Sequence, residues 1–348
     1  MILAHDPNTL MLMMIVALVC LGAWANLFKL AGKWRFELFC FDFAFGLFLV
    51  ALILAFTVGN LGFDGFNFRD DLMNAGKRQW MFGFLAAVLF NFGNMLIIAA
   101  ISVAGIALAF PVGYGMAFIV WALISYVSGP GVNPTYLFAG CAMLLVAVIL
   151  NCNAFSHLLV LRHEATARAG TAKSTRRPSA MQGIILSMVG GIVMGTIAPL
   201  LTKAQNADIG LGPYSLMVIF GFAVLFSTFV FNLFFMNLPI EGDPLEFSEY
   251  FIAPPKRHIG GVIAGGLWAI GATAIFVATT PKGDTHLPDM TVELLTLAVP
   301  VLAALCGLLI WREYRGSDLR VKVTAALVLL IFAGGVTAIS LATYYTRT

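Results

Sequence analysis

Long apolar runs alternate with short polar breaks along the entire chain. Runs of this kind fall at roughly 9–28, 36–58, 80–101, 104–127, 134–154, 181–203, 213–237, 258–279, 291–311 and 319–345. A helix of about 20 apolar residues crosses the hydrocarbon of a bilayer, and in that medium only a helix or a closed barrel satisfies its own backbone. The pattern predicts an all-α, polytopic membrane protein with ten transmembrane helices. Ala23-Trp24-Ala25 in the first run imitates a signal-peptidase site. No positive charge precedes that run, so it reads as an uncleaved helix.

The polar breaks set the organisation. Residues 59–79 hold Arg69-Asp70-Asp71 and Lys77-Arg78, a loop suited to the membrane surface. Residues 238–257 carry Pro239, Pro244, Pro254 and Pro255 with Glu241, Asp243, Glu246 and Glu249, and read as a solvated linker. The longest basic break holds Arg162, Arg168, Lys173, Arg176, Arg177 and Pro178, and separates five helices from five. The expected organisation is a first five-helix repeat over 1–155, a basic linker over 156–180 and a second repeat over 181–348. Most of the 20 Lys and Arg residues fall in alternate loops, the central linker among them. The positive-inside rule then puts that linker in the cytoplasm of a cell whose inner membrane holds the protein, and both termini outside.

Composition agrees. Of 348 residues 60% are hydrophobic and 11% charged, with mean hydropathy +0.94; a soluble domain carries about a quarter charged residues. A net charge of +3 gives no footprint for nucleic acid. The five cysteines lie in apolar runs without a C-x-x-C pair, and the five histidines lack metal-ligand spacing. No nucleophile cluster suggests an enzyme, and no cofactor is implied. The expected partners are a small polar solute, protons and the lipid bilayer, with a homodimer left open.

Within 82–127 the apolar sequence is interrupted by amides, glycines and a proline, and the interruption has an echo. Ala109-Phe110-Pro111-Val112 with Trp121 resembles Ala298-Val299-Pro300-Val301 with Trp311. Gly266 to Thr273 would pair with Asn91 to Asn94. Gly22 to Leu27 matches Gly195 to Leu200, each followed by a lysine, Lys29 or Lys203. Ordered internal likeness of this kind points to a 5+5 inverted repeat. Pro199 is expected to kink its helix. Gly191-x-x-x-Gly195 and Gly261-x-x-x-Gly265 are expected at close helix contacts.

Polar groups inside lipid are costly and mark candidate chemistry. Asp42 and Glu293 are the candidate proton-coupling residues, since a carboxyl held out of water can trade a proton near neutral pH. The alternative for both is an ordinary charge at a helix end. Asn91 and Asn94 share a helix face, and with Asn26, Thr273 and Thr296 offer donors and acceptors to a polar solute; the alternative is interhelical bonding. Trp24, Tyr114 and Trp268 offer flat faces for stacking, whereas Trp121 and Trp311 read as interfacial anchors. Glu313, Arg312 and Arg315 read as a cytoplasmic anchor, or as a gate closed by a salt bridge.

These motifs resemble the drug/metabolite transporter superfamily, and within it the plant-type ureide permeases and the related glucose/ribose porters. The carrying residues are Leu21-Gly22-Ala23-Trp24, Phe41-Asp42, Gly93-Asn94, Pro300 and the string Glu313-Tyr314-Arg315-Gly316-Ser317. The resemblance implies secondary transport of a small polar metabolite such as a ureide, nucleobase or sugar, often with a proton. An exporter of drugs or metabolites on the same fold is the alternative. Drug exporters of the superfamily tend to carry an acidic residue deep in their first helix, and the first run here has none.

Overall fold

A computed structural model describes residues 3, 6–32, 34–61, 66–128, 131–168, 180–205, 209–280 and 289–345. In chain order the helices are α1 (Pro7–Leu30), α2 (Phe36–Phe56), α3 (Phe68–Asn74), α4 (Lys77–Ala104), α5 (Ile106–Ser128), α6 (Pro134–Arg168), α7 (Met181–Gly195), α8 (Ala198–Gln205), α9 (Pro213–Asn237), α10 (Ser248–Ile252), α11 (Pro255–Thr279), α12 (Asp289–Leu297), α13 (Val299–Leu305) and α14 (Leu319–Tyr344), with a π-helical turn, Cys306–Ile310, directly after α13. Among the described residues there is no strand. Among the described residues ten spans are long and apolar enough to cross a bilayer, with α7–α8 forming one of them and α12, α13 and the π turn another. The protein is a polytopic helical membrane protein, as its hydropathy pattern predicts.

Three breaks read from the sequence as loops or linkers are partly helical. Residues 156–168 continue α6, because Leu158 to Arg168 is rich in good helix formers and Glu164 pairs with Arg168 one turn on (3.8 Å). The rest of the basic linker, 169–179, lies outside the described residues. Residues 68–74 form α3, which buries Phe68 and Asp71. Residues 248–252 form α10 within the proline-rich loop.

The chain divides into two compact units, one from 1–95 and 196–299, the other from 96–195 and 300–348. Each unit therefore takes helices from both halves of the sequence.

In the first unit α2 packs against α11 and α9, and α1 against α11. The α2–α11 contact is as close as backbones allow. A Cβ added at Gly265 would collide with the Phe43 carbonyl, and one at Gly261 with Asp42 Cβ. The predicted small-x-x-x-small pair thus meets its neighbour, as such pairs do in lipid, where dispersion and close approach replace the hydrophobic effect.

In the second unit α14 packs along α6, and α5 against α7 and α6. Gly191 and Gly195 face the Gly113 and Ala117 carbonyls of α5. Leu108, Val148, Leu158, Tyr314 and Val321 fill the core where α5, α6 and α14 meet.

The chain passes from one unit to the other three times: inside α4 after Met95, at the α7–α8 break after Gly195, and at the α12–α13 break after Val299. Prolines account for the breaks. Pro199 has no N–H for the Gly195 carbonyl, and the helix restarts with Leu201 donating to Ile197 O (3.1 Å). Pro300 likewise cannot donate to the Thr296 carbonyl. Pro111, by contrast, lies inside a continuous α5.

Candidate functional site

Asp42 lies on α2, 1% exposed, and is surrounded by donors of the first unit. Trp34 Nε1 donates to its Oδ2 at 3.0 Å. The Tyr250 hydroxyl donates to its Oδ1 at 2.6 Å, and His258 Nδ1 lies 2.8 Å from the same oxygen. The rings also pack on each other: His258 stands edge-on to Trp34 at 5.1 Å and to Tyr250 at 4.6 Å. Burial and the neighbouring Asp42 carboxylate push the Tyr250 phenol above the usual tyrosine range, so Tyr250 keeps its proton. Beside this cluster Arg35 forks onto Glu37 (2.7 and 3.2 Å) and donates to the Asp243 carbonyl (3.0 Å), pinning the proline-rich loop to the start of α2.

The sequence singled out Asp42 alone. Trp34, Tyr250 and His258 escaped because each stands in or next to a loop, and two of them are over 200 residues away along the chain. The available signal was topological. Alternate loops share a side of the membrane, so residues flanking the first and seventh loops are candidates to meet.

The two amides of α4 separate in role. Asn91 is 1% exposed, and its Nδ2 donates to Val224 O (3.1 Å), Ser227 Oγ (2.9 Å) and Thr228 Oγ1 (2.9 Å) on α9. It joins two helices. Asn94, also 1% exposed, has no hydrogen-bond partner at either Nδ2 or Oδ1. A buried amide in that condition costs about 1–3 kcal/mol, so its presence calls for an explanation. It stands one residue before α4 passes from the first unit to the second.

One turn before Asn94, Phe90 packs on Trp268 of α11 with ring centroids 4.3 Å apart. Trp268 also stacks on Phe220 of α9 at 5.4 Å and 13°. Thr273, 6% exposed, bonds back to Ala269 O (2.7 Å). Trp24 is fully buried against Phe43 (5.2 Å). The Asn26 amide donates to Ala23 O within its own helix (3.1 Å). Glu293 and Thr296 are half-buried on α12, on the other side of the helix break from Pro300. Tyr114 belongs to the second unit, half-buried and stacked on Phe110 (5.1 Å). An open apolar groove of about 390 Å³, lined by Phe48, Trp80, Phe84 and Phe222, contains none of these residues.

In the second unit the Glu313-Tyr314 string caps the start of α5. The Glu313 carboxylate accepts from Ile106 N (2.9 Å) and Ala107 N (2.7 Å), amides that no intrahelical carbonyl can reach. Gly105, at φ +90°, makes the tight turn between α4 and α5, and a Cβ there would stand 2.8 Å from that carboxylate. The Tyr314 hydroxyl donates to Asn151 Oδ1 (3.1 Å), and Asn151 Nδ2 donates to Ala107 O (3.1 Å). Arg162 donates to the Glu313 carbonyl. The string thus builds a helix N-cap, a role that neither the anchor nor the gate expectation contained.

The fold and these sites define a polytopic membrane protein with interrupted membrane helices and polar side chains buried among them. No family model matches the chain. It is similar over nearly its whole length to plant permeases of Arabidopsis thaliana: ureide permease 4 at 24% identity (93% of this chain, 94% of the relative) and ureide permease 2 at 21% (93% and 94%). Ureide permease 1 matches at 20% (92% and 93%). A solved crystal structure covers 98% of this chain and 99% of its own, with TM-score 0.50 and 17% identity, which speaks for the fold alone.

Proposed function

We propose that this protein is a proton-coupled secondary transporter that imports a small polar metabolite (a ureide, nucleobase or sugar) by alternating access. Asn94 carries the reading. In lipid a fully buried amide is expected to be bonded, and a solute bearing both a donor and an acceptor would complete it. Asn91 holds the same stretch of α4 against α9, and Phe90 with Trp268 forms a flat apolar surface one turn away. Interrupted membrane helices are a recurring device of secondary transporters, where the break lines a solute path. The likeness to permeases supports the same class.

Asp42 is the proposed proton carrier, with Glu293 as a second acidic group on a broken helix. Trp24, Asn26, Tyr114, Trp268, Thr273 and Thr296 are the remaining proposed lining residues. The proposed arrangement is a 5+5 inverted repeat of the drug/metabolite transporter type in the cell membrane, with both termini outside. Uptake into proteoliposomes under an imposed pH gradient, with allantoin, uracil, xanthine, glucose, ribose and rhamnose, tests it. Saturable uptake of one class, abolished by an uncoupler, is expected. Failure of every solute, with efflux of a lipophilic cation instead, would replace the importer by an exporter.

A further inference from the structure

We propose that His258 is the residue through which Asp42 exchanges its proton with water, while Trp34 and Tyr250 hold the carboxyl in place. The inference rests on the transport reading above and assigns a route that the carboxylate alone lacks.

Asp42 is 1% exposed, and its oxygens are taken by Trp34, Tyr250 and His258, so water cannot reach it directly. The His258 side chain is 22% exposed and sits in the first turn of α11, beside Lys256 and Arg257. That places the ring between a dry carboxyl and the polar end of a membrane helix. Trp34 is a donor only, and Tyr250 retains its proton because burial and Asp42 both oppose its ionisation. Of the three partners, only an imidazole can accept and release a proton in the range in which cells work.

The step balances. With Asp42 protonated and His258 neutral, the O–H bond of the carboxyl breaks and an N–H bond forms at Nδ1. The imidazolium then loses its Nε2 proton to water. The result is an Asp42 carboxylate, a neutral ring of the other tautomer and one hydrated proton. A ring flip or the reverse passage resets it. The charged groups that the surrounding elements carry at this end are Lys29 on α1, Arg35 at the N-cap of α2, Glu37 on α2, Glu241, Asp243 and Glu246 in the loop before α10, Glu249 on α10, and Lys256 and Arg257 on α11. The Arg257 guanidinium lies 5.7 Å from the Trp34 ring, and Glu37 is held by Arg35. From α9 the polar group is Asn232, whose amide donates to Glu37 O (2.8 Å).

The test compares proton-driven accumulation with solute counterflow in proteoliposomes. In His258→Gln the ratio of the two should fall by about tenfold or more, because glutamine keeps a hydrogen bond to Asp42 but carries no proton. In Tyr250→Phe, which removes one donor to the carboxyl but leaves the ring in place, the ratio should fall less than in His258→Gln. An unchanged ratio in His258→Gln overturns the inference. Absence of any proton-driven uptake in the unmodified protein overturns the transport reading instead.

A second variant covers a His258→Gln protein that does not fold. In His258→Asn the ratio should fall likewise, since an amide can bond to the carboxyl but cannot relay its proton. A His258→Asn protein whose ratio equals that of the unmodified chain contradicts the proposal.

Discussion

The Asn151 side-chain amide donates at 3.1 Å to the Ala107 carbonyl, the acceptor that Pro111 leaves without its helical N–H. A side chain from α6 thus replaces the missing backbone donor of α5, and Tyr314 fixes that side chain from the far end of the chain. This is why α5 runs unbroken through Pro111 while the spans containing Pro199 and Pro300 are interrupted. The echo between Pro111 and Pro300 is real in the sequence, yet the two prolines have different structural outcomes.

Asn151→Leu should lower the stability of the detergent-solubilised protein by about 1–3 kcal/mol, the cost of an orphaned buried carbonyl. In the Pro111→Ala background, where the helical N–H returns, the same substitution should cost clearly less. Thermal unfolding of the four proteins forms the cycle. Equal costs in both backgrounds would show that Asn151 does not serve the Ala107 carbonyl.

Glu313→Ala removes the acceptor of two N-terminal amides and should cost about 1 kcal/mol, with Glu313→Gln costing less. Gly105→Ala should cost more than either. It puts a Cβ at φ +90° and drives it towards the same carboxylate. Midpoints of chemical or thermal unfolding rank the three, and a Gly105→Ala protein as stable as the parent would contradict the cap geometry.

Asp71 is buried where α3 meets the start of α9, and its Oδ2 accepts from Gly212 N (2.9 Å). Burial pushes its carboxyl above the usual aspartate range, against the opposing pull of Ser215 and the Gly212 amide. A carboxyl whose folded pKa is raised contributes its full stability below the unfolded value, near 4, and loses it as pH rises through the folded one. Relative to Asp71→Asn, the parent protein should therefore lose stability between acid and neutral pH. Melting curves across that window check the sign, and a parent that gains on the variant as pH rises would refute it.

Hydropathy made the ten spans legible because a bilayer admits few alternatives to a helix. The glycine pairs were legible for a related reason: at helix contacts in lipid, small residues are one of few devices available. Asn94 and Asp42 stood out because polar groups are rare in such runs. The partners did not stand out. Tyr250 lies in a proline-rich loop that reads as solvent-exposed, His258 at a helix start where a polar residue is unremarkable, and Asn151 in a run whose one proline, Pro134, stands at its start. Each is defined by a contact across the fold, which periodicity along one helix does not encode. The helical stretch 156–168 was masked by its charge, which marks the membrane boundary and not the end of the helix.

On the proposed reading, Asn94 is left unbonded by the protein because the solute completes it. Asn94→Leu separates this from a structural role, since it removes a buried amide that costs the free protein about 1–3 kcal/mol. Purified variant and parent would be melted with and without the transported solute, and their uptake compared in proteoliposomes. The expected variant is at least as stable as the parent, is no longer stabilised by solute, and takes up none. Uptake at the parental rate, or solute stabilisation equal to the parent's, would contradict it.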